Sequence, residues 1–332
     1  MTKPLEVVLL LALPASGKSE VRKFLRSLKP EECREEFHIG PTLQLDDYPY
    51  VHFMHRIDDE LCKRGEDYVF YQGPNRSFKD DFEWQTLIEL INEDFDDLKN
   101  HRTASPDSAA QLLFDRLDRA RCKAQLKPAM GELKWRTRCQ IAEALEEECR
   151  EELKAKNETC KQQMDGKTVF IEAARGGPNG SAFPLTPPHG YQFALQNLSN
   201  DILDKARILY VWVTPEDSRR KNIERGKPGE QGSILHHSVP MEVMLGQYGC
   251  DDMDYLMETS DKKHTVQVER VEEVSNPNEA PRYENRVWHV PVAKFDNRQD
   301  LTSFIRNENW NDNDVQRIRR ALKDALGVLA SF

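Results

Sequence analysis

The chain opens with an apolar run, Val7 to Leu13, followed by a punctuated stretch, Pro14 to Gly17, and then by Val21, Phe24, Leu25 and Leu28 at i, i+3, i+4 and i+7. A short apolar run bounded by turn residues reads as a buried strand, and the second spacing reads as one face of a helix. The segment is therefore predicted as strand, tight loop, helix, with Lys29-Pro30 as its stop. Further apolar runs follow at Leu43 to Leu45, leading into Asp46 and Asp47; at Thr168 to Ile171, ending in Glu172; at Ile208 to Val213, ended by Thr214-Pro215; and at Val287 to Val290. Helical pattern separates each run from the next. Five strands interleaved with helices predict an α/β fold whose mostly parallel five-stranded sheet is covered by helices.

Residues from Pro106 to Met164 break that rhythm. Ala109, Ala110, Leu113, Leu117 and Ala120 form one helical stripe, and Trp135, Cys139, Ala142, Leu145, Cys149 and Leu153 form another, with Pro128 and Gly131 between them. The pattern predicts an inserted helical hairpin whose second helix runs about 30 residues, roughly 45 Å. Its remaining faces are crowded with Glu, Lys and Arg, so it reads as an exposed arm laced with salt bridges, with homodimerisation or a lid role as the alternative. The expected division is a core of residues 1–100 and 167–300, an insertion at 101–166, and a C-terminal helical extension at 301–332. The extension carries a packing stripe of Val315, Ile318, Leu322 and Leu329, and Ser275 to Pro281 is the most loop-like late segment.

The 332 residues carry 47 Lys+Arg against 57 Asp+Glu, a formal charge of −10, with 38% hydrophobic and 31% charged positions. That composition fits a soluble globular protein with a packed core and disfavours nucleic acid as a partner. Seven cysteines, an odd number without a C-x-x-C pair, read as free thiols of a reducing compartment. The run from Leu5 to Leu13 is interrupted by Glu6 and lacks a basic leader, so neither a secretory signal nor a membrane segment is expected. A cytoplasmic protein is the reading. His236, His237 and His264 lack ligand spacing and are not read as a metal site.

The sharpest chemical signal is Ala12-Leu13-Pro14-Ala15-Ser16-Gly17-Lys18-Ser19, which has P-loop spacing with Ala12 at the first glycine position. Such a loop wraps a polyphosphate with successive backbone N–H groups, and the helix behind it aims its positive end at the same oxygens. Pro14, Ala15, Ser16, Gly17, Lys18 and Ser19 are thus the expected nucleotide contacts. Lys18 would reach the β and γ phosphates and the Ser19 hydroxyl would ligate Mg²⁺.

This loop, together with Leu45-Asp46-Asp47-Tyr48 after the second strand, resembles the P-loop kinase superfamily, in particular its uridine kinase, pantothenate kinase and zeta toxin branch. The resemblance implies the three-layer P-loop NTPase fold and an acid at the end of the second strand that faces the acceptor hydroxyl, here Asp46 or Asp47. Val169-Phe170-Ile171-Glu172 resembles the Walker B strand, which implies Glu172 near the metal. Arg220 and Arg225, in the basic segment Arg219 to Lys227 before the loop Gly226 to Gly232, match the position of the lid whose arginines close over the phosphates. Asp46, Tyr48, Arg76 and Arg175 are the expected substrate contacts, the last lying in the Gly-rich loop Ala173 to Ser181.

Without an Asn-Lys-x-Asp signature, ATP is expected rather than GTP. The function expected is an ATP and Mg²⁺ dependent kinase acting on a hydroxyl of a small metabolite such as a nucleoside, sugar or vitamin-like alcohol. The alternative is a regulatory or assembly P-loop ATPase that signals through its helical arm.

Overall fold

The computed structural model describes residues 3–226, 238–274, 281–307 and 309–332. Strand β1 (Val7–Leu11) is buried along its whole length, which requires cover on both faces. It lies between β3 (Thr168–Ala173) and β4 (Ala206–Trp212) and is parallel to both. Strand β2 (Thr42–Asp46) extends the sheet beyond β3, and β6 (Arg282–Asp296) extends it beyond β4, again in parallel. One further strand, β5 (Thr265–Val274), runs antiparallel to β6 at the edge.

The expected five strands are therefore six, in the order β2-β3-β1-β4-β6-β5, forming a mixed and mostly parallel sheet. Strand β5 escapes a hydrophobic reading because only Val266 and Val268 of its valines are buried, while Glu269 to Val274 mixes charge with exposed valine. The run at Val287 to Val290 is the middle of β6.

Alternation across the strands sends Val8 and Leu10 to one face and Val7, Leu9 and Leu11 to the other. On the first face, α1 (Lys18–Ser27), α2 (Pro30–Phe37) and α12 (Asp312–Ala330) bury Phe24, Phe37 and Leu322. On the second, α4 (Glu83–Lys99), α7 (Gly190–Asn197) and α11 (Met253–Thr259) bury Ile88, Tyr191 and Met253.

The predicted hairpin is present as α5 (Ala109–Lys123) and α6 (Trp135–Cys160), the latter 26 residues long. It is not a free arm. Phe114, Leu117, Ile141 and Leu145 share an apolar core with Phe53 and Ile57 of α3 (Tyr48–Lys63) and with Leu87 and Leu90 of α4. The charges expected to face solvent are partly used inside. Buried Asp94 accepts from Tyr50 Oη, from Arg116 at 2.7 Å and from Lys156 at 2.8 Å, and removing those partners would strand a buried carboxylate. Trp135, expected in the packing stripe, is 73% exposed.

Among the described residues no helix is long and apolar enough to cross a membrane, and all seven cysteines are unpaired. Lys227 to Gly232 of the expected lid, His236, His237 and residues 275–280 of the expected late loop lie outside the described residues.

Candidate active site

The chain leaves β1 at Leu11 and starts α1 at Lys18, so six residues make the reversal. Two of them are left-handed: Ala15 at φ 58° and Gly17 at φ 105°. The first is uncommon for a residue with a Cβ, and distant parts of the chain brace it. Ser218 Oγ of α9 (Pro215–Arg225) donates to the Pro14 carbonyl and Asn297 Nδ2 donates to the Ser16 carbonyl, each at 2.7 Å. A Cβ on Gly17 would lie 2.5 Å from Thr302 Oγ1 and 2.7 Å from Asn297 Nδ2, so both φ and space require glycine there.

Inside this loop the N–H groups of Ala15, Ser16, Gly17, Lys18 and Ser19 have no acceptor among the described residues. Consecutive donors of this kind, at the positive end of a ten-residue helix, form a cradle for anionic oxygens. The Lys18 side chain is buried and folds back over the loop, its Nζ donating to the Ala12 carbonyl at 3.1 Å and to Leu13 at 3.4 Å. Burial pushes its pKa down, Glu172, Asp47 and Asp46 pull it back up, and Arg225 adds to the fall.

The acids arrive on neighbouring strand ends. Register places Asp46 of β2 directly beside Glu172 of β3. Burial first, then Glu172 and Asp47, push the Asp46 carboxyl up to about 7. Its oxygens accept from the Tyr48 N–H at 2.9 Å and the Gln44 amide at 3.2 Å. Asp47 turns the other way and pairs with Arg175 at 2.6 Å. Arg175 is buried and lies over the Trp84 ring, 4.9 Å from its centroid, so Trp84 is both a core residue and a support for this arginine.

Not every expected residue meets the site. Arg220 is 53% exposed and bound to Asp217 and Glu224 of its own helix, on the face away from the loop. Arg76 is exposed and paired with Glu242 at 3.0 Å, at the rim of a cleft that Tyr48 also lines. Arg225 does face inward, where it sits 3.3 Å from buried Glu20. Three residues were missed. Arg22 pairs with Glu172 at 2.8 Å, and its position four residues after Lys18 on α1 was the available signal. Arg306, 2.6 Å from Glu20, and Asn297 come from the far end of the chain and left no local signal.

A magnesium ion fits this donor set in the manner usual for that ion, which takes one or two carboxylates, a hydroxyl, water and phosphate oxygens rather than a protein cage. Glu172 and Asp46 stand side by side behind the loop that carries Ser19, and among the described residues no group of three or more His, Cys, Asp or Glu is placed to hold a metal alone. No protein-family model matches the chain, and neither the curated proteins nor the solved structures yielded a match.

Proposed function

We propose that this chain is a P-loop phosphotransferase that moves the γ-phosphoryl group of ATP onto a hydroxyl of a small molecule. What carries the reading is the convergence of five acceptor-free amides with Asp46, Asp47 and Glu172 around one buried lysine. The amides of residues 15–19 would hold the phosphates, and Lys18 would exchange two carbonyl oxygens for phosphate oxygens. Ser19 and Glu172 would hold a magnesium ion, which would supply charge neutralisation at the phosphates. Arg22 and Arg225 lie at the same end of the sheet, where they pair with Glu172 and Glu20.

Asp46 is the proton acceptor in this scheme, because the Asp47 carboxylate is committed to Arg175. The acceptor oxygen forms its bond to phosphorus as the bond to the bridging oxygen breaks. ADP leaves with that electron pair, and the hydroxyl proton passes to Asp46. The seven unpaired cysteines are consistent with a reducing, cytoplasmic setting. A regulatory ATPase working through a helical arm has less support, since α5 and α6 share a core with α3 and α4.

Incubating the protein with MgATP and pooled metabolites, then searching by mass spectrometry for gain of one phosphoryl group, tests the proposal. A product made by the wild type and absent with Lys18→Ala is expected. Wild-type protein that neither binds MgATP by calorimetry nor forms any such product overturns it.

A further inference from the structure

Starting at Tyr48, which directly follows the Asp46-Asp47 turn, a cleft of about 580 Å³ lies between α3, the segment 68–78, α4 and the segment 238–248. That volume is in the range of small-molecule sites. Its walls are largely aromatic. His55 stacks on Tyr71 with ring centroids 3.7 Å apart and 5° between planes, Tyr71 stacks on Phe78 at 4.8 Å, Phe78 meets the edge of Trp84 at 5.1 Å, and Trp84 meets Tyr248 at 5.6 Å. Tyr48, which follows the two aspartates directly, lines the same cleft. Trp84 carries Arg175 on its face, and Arg175 holds Asp47, so one contact chain runs from the aromatic wall to the proposed reaction centre.

The charges around the cleft narrow its ligand. Among the described residues, its cations are already matched. Arg56 pairs with Glu148 at 3.2 Å and Arg76 with Glu242 at 3.0 Å, while Arg175 behind the wall pairs with Asp47. Asp58 is used by the N–H groups of Val69, Phe70 and Tyr71. Desolvation of its ring lowers the His55 pKa, which favours the neutral form. An anionic acceptor would find no unmatched cation here, whereas a flat, uncharged ring would find His55 exposed as the top of a stack.

Resting on the phosphotransferase reading above, we infer that this cleft, whose rim also carries the exposed Asp59, is the acceptor site, and that its substrate is an alcohol without negative charge that bears a planar unsaturated ring. The ring would extend the His55–Tyr71–Phe78 stack, and its hydroxyl would point to the turn at Asp46 and Asp47. His55, unread in the sequence, becomes a specificity-determining residue.

Uridine and 2-phenylethanol serve as probes with a planar unsaturated ring, and glucose, glycerol and glucose 6-phosphate as probes without one, the last also anionic. Each is titrated into the full chain with MgATP, and both binding by calorimetry and phosphorylated product by mass spectrometry are read. Saturable binding and product confined to the planar-ring pair are expected. His55→Ala should raise their KM about 10-fold, His55→Phe should restore it, and both variants should keep the KM for ATP within about 2-fold. Binding of MgATP without binding of either planar-ring probe, preference for a probe that lacks such a ring or is anionic, or a KM unmoved by His55→Ala overturns the assignment of this cleft while the phosphotransferase reading stands. Failure to bind MgATP at all removes that reading, and this one with it.

Discussion

Arg175 and Asp47 are separated by 128 positions in sequence, yet their side chains meet at 2.6 Å in a nearly dry pocket, the arginine 4% and the aspartate 13% exposed. The pair ties the loop behind β3 to the turn behind β2, and so fixes where Asp46 stands. Breaking a buried pair from one side leaves an uncompensated charge, typically about 3–5 kcal/mol of stability. Arg175→Gln and Asp47→Asn should each destabilise on that scale, and the double variant should lose less than the sum. Urea denaturation of the three variants checks this; additive losses would mean that the two groups do not sense each other.

Lys18→Ala should reduce ATP-dependent turnover at least about 100-fold, as the loss of a charge aimed at the transition state does. The fold should survive, since the Lys18 ammonium contacts only carbonyl oxygens of its own loop. Circular dichroism with product analysis checks both halves. An active variant contradicts the scheme.

The strand, turn and helix around Lys18 were legible because these parts are contiguous and lie within one short segment. The flanking lid helix was not legible. Helical spacing groups Ser218, Lys221, Asn222 and Arg225 on one face, but periodicity alone does not say which face meets the loop, so Arg220 and Arg225 looked alike. Arg306 and Asn297 reach the site only through tertiary contacts. Strand β5 was missed because half of it lies outside the core, where charged residues displace the expected apolar run. The hairpin was predicted in the right place and with the wrong surroundings, since its buried Arg116 and half-buried Lys156 look in sequence like any solvated face.

Gly17→Ala should abolish nucleotide binding more thoroughly than it destabilises the chain. The new methyl would meet Thr302 Oγ1 at 2.5 Å and sit on a residue at φ 105°, at a cost of about 1–3 kcal/mol for the backbone alone. Titration with MgATP, beside a thermal melt, distinguishes the two effects. Unchanged ATP affinity would show that the loop has another way to close.

Glu146 of α6 accepts from Ser108 Oγ at 2.6 Å and from the N–H groups of Ala109 and Ala110, which places its carboxylate on the N-terminus of α5. Burial acts to raise its pKa, but these bonds and Arg150 outweigh it and hold the group down at about 2. A depressed folded value gives stability that is complete above the ordinary glutamate range, near 4.5, and that fades as pH falls toward 2. Glu146→Gln should flatten this part of the acid-unfolding profile and cost about 1 kcal/mol at pH 7, in line with loss of a helix cap. Urea midpoints measured from pH 6 to pH 2 check it; identical profiles for both proteins would exclude Glu146 as a contributor.

The brace on the Ser16 carbonyl comes from Asn297, 281 positions downstream. A ribosome releases the loop's own residues long before the asparagine that holds one of them in place. The nascent polypeptide therefore carries this turn without its asparagine tether while all the residues between the two are made.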